Sequence, residues 1–136
     1  VAAAEACAQG VRLKWPNDLL LGGRKVGGIL IEATPHKAVC GIGINLTSAP
    51  EGAAMLNRAA GELMENLLPA MSKWCSAPPG EVLARWRELS DTLGRRVRVT
   101  LPDRSFEGVA QDINANGELI VDGQLVSAGS LTHLSG

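Results

Sequence analysis

Two apolar runs, Val26-Gly27-Gly28-Ile29-Leu30-Ile31-Glu32 and Ala38-Val39-Cys40-Gly41-Ile42-Gly43-Ile44-Asn45-Leu46, constrain this chain more than any other feature. Both are rich in β-branched and large aliphatic residues, which favours strands. Yet each is interrupted by glycines, which weaken a strand unless backbone must approach something closely. Thr34-Pro35-His36-Lys37 joins the runs and reads as a turn. They are therefore expected to be neighbouring strands, and neighbours that lack side chains at matched places leave a slot. A flat or slender apolar ligand fits such a slot, with Asn45 at its mouth as hydrogen-bond donor or acceptor. Paired β-bulges or close helix-on-sheet packing explain the same glycines equally well. Alternation along both runs is weak, so both faces are expected to be covered by helices.

Upstream, Val11-Arg12-Leu13-Lys14-Trp15 alternates apolar and basic residues and stops at Pro16, which cannot donate to a central ladder. If this strand pairs with the one starting at Lys25 through the Leu19 to Arg24 connection, then Lys14, Asn17, Asp18 and Lys25 converge at one end of a sheet. Two ammonium groups there favour phosphate, and the Asn-Asp pair offers amide contacts and a carboxylate suited to magnesium. The plainer reading is a set of solvated strand-end charges. No GxGxxG phosphate loop is present, so no dinucleotide fold follows from the glycines.

Composition limits the alternatives. With 136 residues, 46% of them hydrophobic, the chain can hold one modest core or a core plus a small appended unit. A net charge of -1 gives no general attraction to nucleic acid or to an anionic membrane, so any anion site must be local. No apolar run approaches the roughly 20 residues of a membrane span. Cys7, Cys40 and Cys75 form no CxxC pair and make an odd count, which fits a reducing cytoplasmic setting better than a disulfide framework. With only His36 and His133 in addition, zinc has no ligand set.

Around this centre, Ala2 to Gln9 is predicted to be a helix ending at Gly10. Leu56, Ala60, Leu63, Leu67 and Met71 mark the core face of a second helix that carries Pro69. Glu81 to Leu93 is predicted to be a third, and Trp74 and Trp86 read as packing residues. After Gly94 the period changes to two. Val97, Val99 and Leu101 alternate with polar residues, and short strands follow at Phe106 to Ile113, Glu118 to Val121, Gln124 to Ser127 and Leu131 to Leu134. Asn116-Gly117 and Asp122-Gly123 supply hairpin turns. Residues 1–93 and 94–136 are thus expected to be separate units, the second a small barrel.

KWPND, RKVGGILIE and GIGINL, in this order and spacing, resemble the catalytic domain of the biotin protein ligases. The stretch from Trp86 through Leu93-Gly94-Arg95-Arg96-Val97-Arg98-Val99 to Val126-Ser127-Ala128-Gly129 resembles that family's C-terminal domain. The resemblance implies an α+β fold: part of a mixed sheet with helices, like that of class II aminoacyl-tRNA synthetases and biotin ligases, followed by an SH3-like β-barrel. It also implies ATP-dependent activation of biotin to biotinyl-5′-AMP and transfer to a lysine of a biotin carboxyl carrier domain. Lys25 would then contact the biotin carboxylate and the α-phosphate. Gly28, Gly41 and Gly43 would line the biotin valeryl chain, with Lys14, Asn17 and Asn45 on the ATP side and Asp18 as a magnesium ligand. No covalent nucleophile is required, so Cys40 is expected to be a buried core thiol.

The family's Arg- and Gly-rich recognition loop lies well upstream of KWPND, and thirteen residues precede Lys14. The chain is accordingly expected to be the C-terminal portion of a ligase, catalytically incomplete as given. The repressor version's helix-turn-helix is not among these residues, so DNA binding is not implied, whereas homodimer pairing through a sheet is a family habit. A lipoate-type ligase is the second reading, and a noncatalytic protein-binding module on the same framework is the third.

Overall fold

A computed structural model describes residues 1–135. The chain runs α1 (Ala2–Cys7), β1 (Arg12–Lys14), β2 (Asp18–Leu21), β3 (Arg24–Ala33), β4 (Ala38–Ile44), α2 (Ala60–Ser76) and α3 (Pro79–Leu89), then β5 (Arg96–Thr100), β6 (Ser105–Ile113), β7 (Leu119–Val121), β8 (Gln124–Val126) and β9 (Ser130–His133). The strands form two antiparallel sheets, β1-β2-β3-β4 and β8-β7-β6-β5-β9. A parallel bridge from Leu13 to Ser90 adds the one parallel pairing among the described residues.

The first sheet owes its layout to its turns. Gly22 and Gly23 both have positive φ, 58° and 78°, which closes a two-residue hairpin between β2 and β3. The segment Leu19 to Arg24, expected to be a plain connection, thus contains most of a strand, and β2 lies between β1 and β3. One side of the sheet carries Leu13, Leu19 and Val26 into a core with Cys7 of α1 and Leu63 and Leu67 of α2. Full burial of each such side chain contributes about 1.5–3 kcal/mol.

Several expectations need correction. Leu56 is buried but lies in an extended segment, because its N–H donates to Asn45 O at 2.9 Å and leaves no helical partner; the helix starts at Ala60. The third helix runs from Pro79 to Leu89, two residues earlier at its start and four shorter at its end. The faces of β3 and β4 are not both covered. From Leu30 to Gly41 the ladder extends past the helices, leaving Leu30, Ile31 and Val39 at 64%, 58% and 60% exposure. Cys40, expected inside, is exposed for the same reason.

The second sheet packs Val97, Val99, Leu119 and Val121 into its own core, and Trp15 inserts there from the end of β1. Trp15 is 4% exposed, and its indole N–H donates to Gly117 O at 3.0 Å. Trp86, half-buried on α3, packs against both cores. Arg12 Nη2 donates to Ser90 O at 2.8 Å, Asp91 N–H to Leu13 O at 2.7 Å, and Arg87 Nε to Asp112 Oδ1 at 2.7 Å. The first sheet is therefore pinned to the second at the Trp15 end, next to Asn17 and Asp18. Trp74, by contrast, is a helix-packing residue, donating its indole N–H to Glu5 Oε2 at 2.7 Å.

Candidate active site

The central feature is a glycine-floored cleft on the side of β3 and β4 away from the helical core. In the β3–β4 register Gly28 faces Gly43 and Leu30 faces Gly41. No side chain therefore rises between Lys25 and Leu30 along this face.

The four glycines are not equivalent. A Cβ on Gly27 would collide with the carbonyl oxygen of Gly43, so Gly27 is required by close strand approach. A Cβ on Gly28 would meet only Asn17 O at 3.6 Å and Lys25 Cε and Nζ at 3.7 Å, ordinary contacts. A Cβ on Gly41 would have Leu30 O at 3.6 Å as its only close neighbour, and one on Gly43 would meet nothing within 4 Å. None of these four has positive φ. Internal packing thus accounts for Gly27 and leaves Gly28, Gly41 and Gly43 open toward the cleft.

Lys25 stands at one end of this floor. The β2–β3 register shifts between Leu19 and Leu20, so that Gly27 pairs with Leu19 while Lys25 pairs with Leu20. Such a bulge re-aims nearby side chains. Lys25 Nζ lies 3.2 Å from Asp18 Oδ1, with the two side chains 58% and 32% exposed. Asn17 fixes the adjoining turn, its carbonyl accepting Ile29 N–H at 2.9 Å.

Two openings meet at Lys25. One, of about 510 Å³, is lined by Asn17, Asp18, Leu30, Gly41 and Ile42; the other, of about 540 Å³, by Gly27, Ile44, Asn45, Pro50 and Ala53. Lys25, Gly28 and Gly43 line both. The Pro50 to Ala54 loop is held by Asn45, whose Nδ2 donates to Ala54 O at 3.0 Å, and by Ala54 N–H, which donates to Lys25 O at 2.9 Å. Sequence reasoning missed this wall; the signal was the Pro50 and Gly52 punctuation just after Asn45.

Of the sequence-predicted residues, the structure brings together Asn17, Asp18, Lys25, Gly28, Gly41, Gly43 and Asn45. It sets Lys14 apart. Lys14 lines a smaller cleft of about 160 Å³ with Ile31 and Trp86, which shares Asn17, Asp18 and Ile29 with the Lys25 openings. Register puts Lys14 on the same face as Asp18 and Gly28, and its distance comes from β2 and β3, which stand between β1 and β4.

Comparisons with known proteins bear on the chain as a whole. Residues 4–46 match the biotin/lipoate A/B protein ligase family, and residues 92–130 match the biotin protein ligase C terminal domain. The chain thus resembles the biotin protein ligases in both of its parts. Among its relatives, a biotin–[acetyl-CoA-carboxylase] ligase of Mycobacterium tuberculosis is 39% identical over 90% of this chain and 53% of its own length. The apo structure of a biotin protein ligase from Aquifex aeolicus superposes with a TM-score of 0.80 at 20% identity, covering 98% of this chain and 73% of that one. A biotin protein ligase from Leishmania major in complex with biotinyl-5-AMP gives a TM-score of 0.57 at 26% identity, covering 98% and 59%. The chain spans about half the length of the curated relatives it matches.

Proposed function

We propose that this chain carries one wall of a biotin-activating site, in which Lys25 receives the junction of an acyl-adenylate. What supports this reading is the arrangement of two clefts sharing Lys25, Gly28 and Gly43. An acyl chain lies over Gly28, Gly41 and Gly43 beside the Leu30 side chain. The nucleotide occupies the side of Asn45, Pro50 and Ala53, with Asn17 beside the junction. Asn45 acts chiefly by holding the loop, since its amide is spent on Ala54. Lys14, on its separate cleft, contributes at longer range.

In the first step a carboxylate oxygen of biotin attacks the α-phosphorus of ATP. An oxygen–phosphorus bond forms, the bond to the oxygen bridging the β-phosphorus breaks, and pyrophosphate leaves. In the second, the neutral amine of an acceptor lysine attacks the acyl carbon; an amide forms, AMP leaves and the amine proton passes to solvent. Both steps place negative charge at the acyl–phosphate junction, where a fixed ammonium stabilises it without reorganisation. Asp18 keeps Lys25 Nζ at the seam.

Magnesium takes one or two carboxylates beside phosphate oxygens. Among the described residues no three His, Cys, Asp or Glu side chains gather, and Asp18 is the one carboxylate lining the cleft. Asp18 would hold an ion brought by the nucleotide, and that ion would supply charge neutralisation at the phosphates.

The acceptor proposed is the carrier domain of a biotin-dependent carboxylase. The division proposed is a catalytic portion over 1–93 and an SH3-like C-terminal unit over 94–136. A cytoplasmic setting suits an ATP-dependent ligase, and no helix among the described residues is long and apolar enough to cross a membrane. Isothermal titration with biotinyl-AMP, biotin, lipoyl-AMP and buffer tests the reading. Biotinyl-AMP is expected to bind and Lys25→Ala to abolish it. Preference for lipoyl-AMP would move the assignment to lipoate, and no binding of any ligand would leave a noncatalytic module.

A further inference from the structure

Thr92 is fully buried between the two sheets, and its hydroxyl has two partners. Oγ1 accepts the Trp15 backbone N–H at 3.1 Å and lies 3.0 Å from His133 Nε2. Thr92 is itself fixed, its N–H donating to Ser90 Oγ at 3.1 Å. From Trp15 the chain passes through Pro16 to Asn17, whose carbonyl accepts Ile29 N–H, and to Asp18, which holds Lys25. A continuous set of contacts thus runs from the last strand of the second sheet to the wall of the cleft.

The hydrogen-bond inventory makes this set sensitive to one proton. With Oγ1 already accepting from Trp15, the Thr92 hydroxyl hydrogen is free to donate, and a neutral His133 offers Nε2 as its acceptor. A protonated His133 has only donors. Oγ1 would then have to accept twice, and the hydrogen of this buried hydroxyl would lose its partner, which disfavours the contact. The charged groups facing His133 are Lys14 from β1 and Arg95 and Asp91 from the turn between α3 and β5. Arg95 Nη2 is paired with Asp91 Oδ1 at 3.1 Å, which leaves Lys14 as the uncompensated charge of this group. Burial, then Lys14 and Arg95, hold the His133 ring below the usual histidine range, with Asp91 opposing.

We propose that Thr92 and His133 are positioning residues for the Trp15 to Asp18 segment, and that protonation of His133 loosens this segment and with it the Asp18–Lys25 wall. The consequence for ligand binding rests on the acyl-adenylate reading above; the coupling between the sheets does not.

The test is a heteronuclear NMR titration of the full chain, without ligand, between about pH 8 and about pH 5, where histidine changes charge. The amides of Trp15, Asp18 and Ile29 are expected to shift with the midpoint of the His133 ring. The shifts should vanish in His133→Gln and persist in His36→Gln, since His36 lies on the exposed turn between β3 and β4. Thr92→Ser, which keeps the hydroxyl, should retain the Ile29 shift, and Thr92→Val should lose it while His133 still titrates. A static Ile29 amide during His133 titration, or an Ile29 shift surviving in His133→Gln, overturns the proposal even if Thr92→Val does not fold. Because no ligand is present, failure of adenylate binding in the calorimetric experiment leaves this result intact, and the reverse also holds.

Discussion

A side chain at position 27 would run into the carbonyl oxygen of Gly43, whereas a side chain at position 43 would meet nothing within 4 Å. Two glycines on paired strands thus have opposite reasons for lacking a Cβ. Gly27→Ala should cost roughly 1–3 kcal/mol through overpacking, read as a lower urea midpoint. Gly43→Ala should leave stability unchanged or raise it by up to about 1 kcal/mol, since alanine suits a strand better. In the same variant, biotinyl-AMP affinity should fall about tenfold, or ~1.4 kcal/mol. Equal stability losses in the two variants would mean that both glycines serve packing.

The Asp18–Lys25 pair is partly exposed and contributes little to folding, about 0–1 kcal/mol. Asp18→Asn should therefore unfold near the wild-type midpoint. Its effect should appear in ligand binding, weakened roughly two- to tenfold, the worth of one hydrogen bond that places a charge. Calorimetry beside denaturation on the same sample separates the two.

Trp15 supports both the second core and the cleft wall. Trp15→Ala should lose about 3–5 kcal/mol. Trp15→Phe keeps most of the packing but leaves Gly117 O without its indole partner, and should cost about 1–2 kcal/mol. Denaturation followed by probes in each sheet should show Trp15→Ala separating two transitions that coincide in the parent chain.

Glu5 gives a pH dependence with a defined sign. Burial pushes its carboxyl up, but the Trp74 indole N–H and the Arg85 guanidinium together outweigh this and hold it below the usual glutamate range. The unfolded chain then binds the proton first, so the stabilisation is complete above the ordinary glutamate pKa, about 4.3, and is lost as pH falls through the lower folded value. Denaturation midpoints should decline in that window, and Glu5→Gln should flatten the decline.

What the sequence disclosed and what it concealed follow from the range of the interactions. The Asn116-Gly117 and Asp122-Gly123 turns were legible because hairpin geometry demands positive φ locally, and Asp122, Gly117 and Gly123 adopt it. The pairing of Gly28 with Gly43 was legible because two punctured runs share one turn. The exposure of Leu30, Ile31 and Val39 was not, since a strand apolar on both faces reads the same whether or not anything covers it. Asp18 to Leu21 was hidden by its shortness between Pro16 and Gly22. The separation of Lys14 from Lys25 depended on the intervening β2, and the burial of Trp15 on a partner 102 residues away.

That last separation has a consequence for the order in which the molecule is made. A ribosome adds 102 residues between Trp15 and Gly117, roughly 5–20 s at ordinary elongation rates. Throughout that interval the indole has no second core to enter. The wall of the cleft is translated early and completed late, when the C-terminal hairpins emerge.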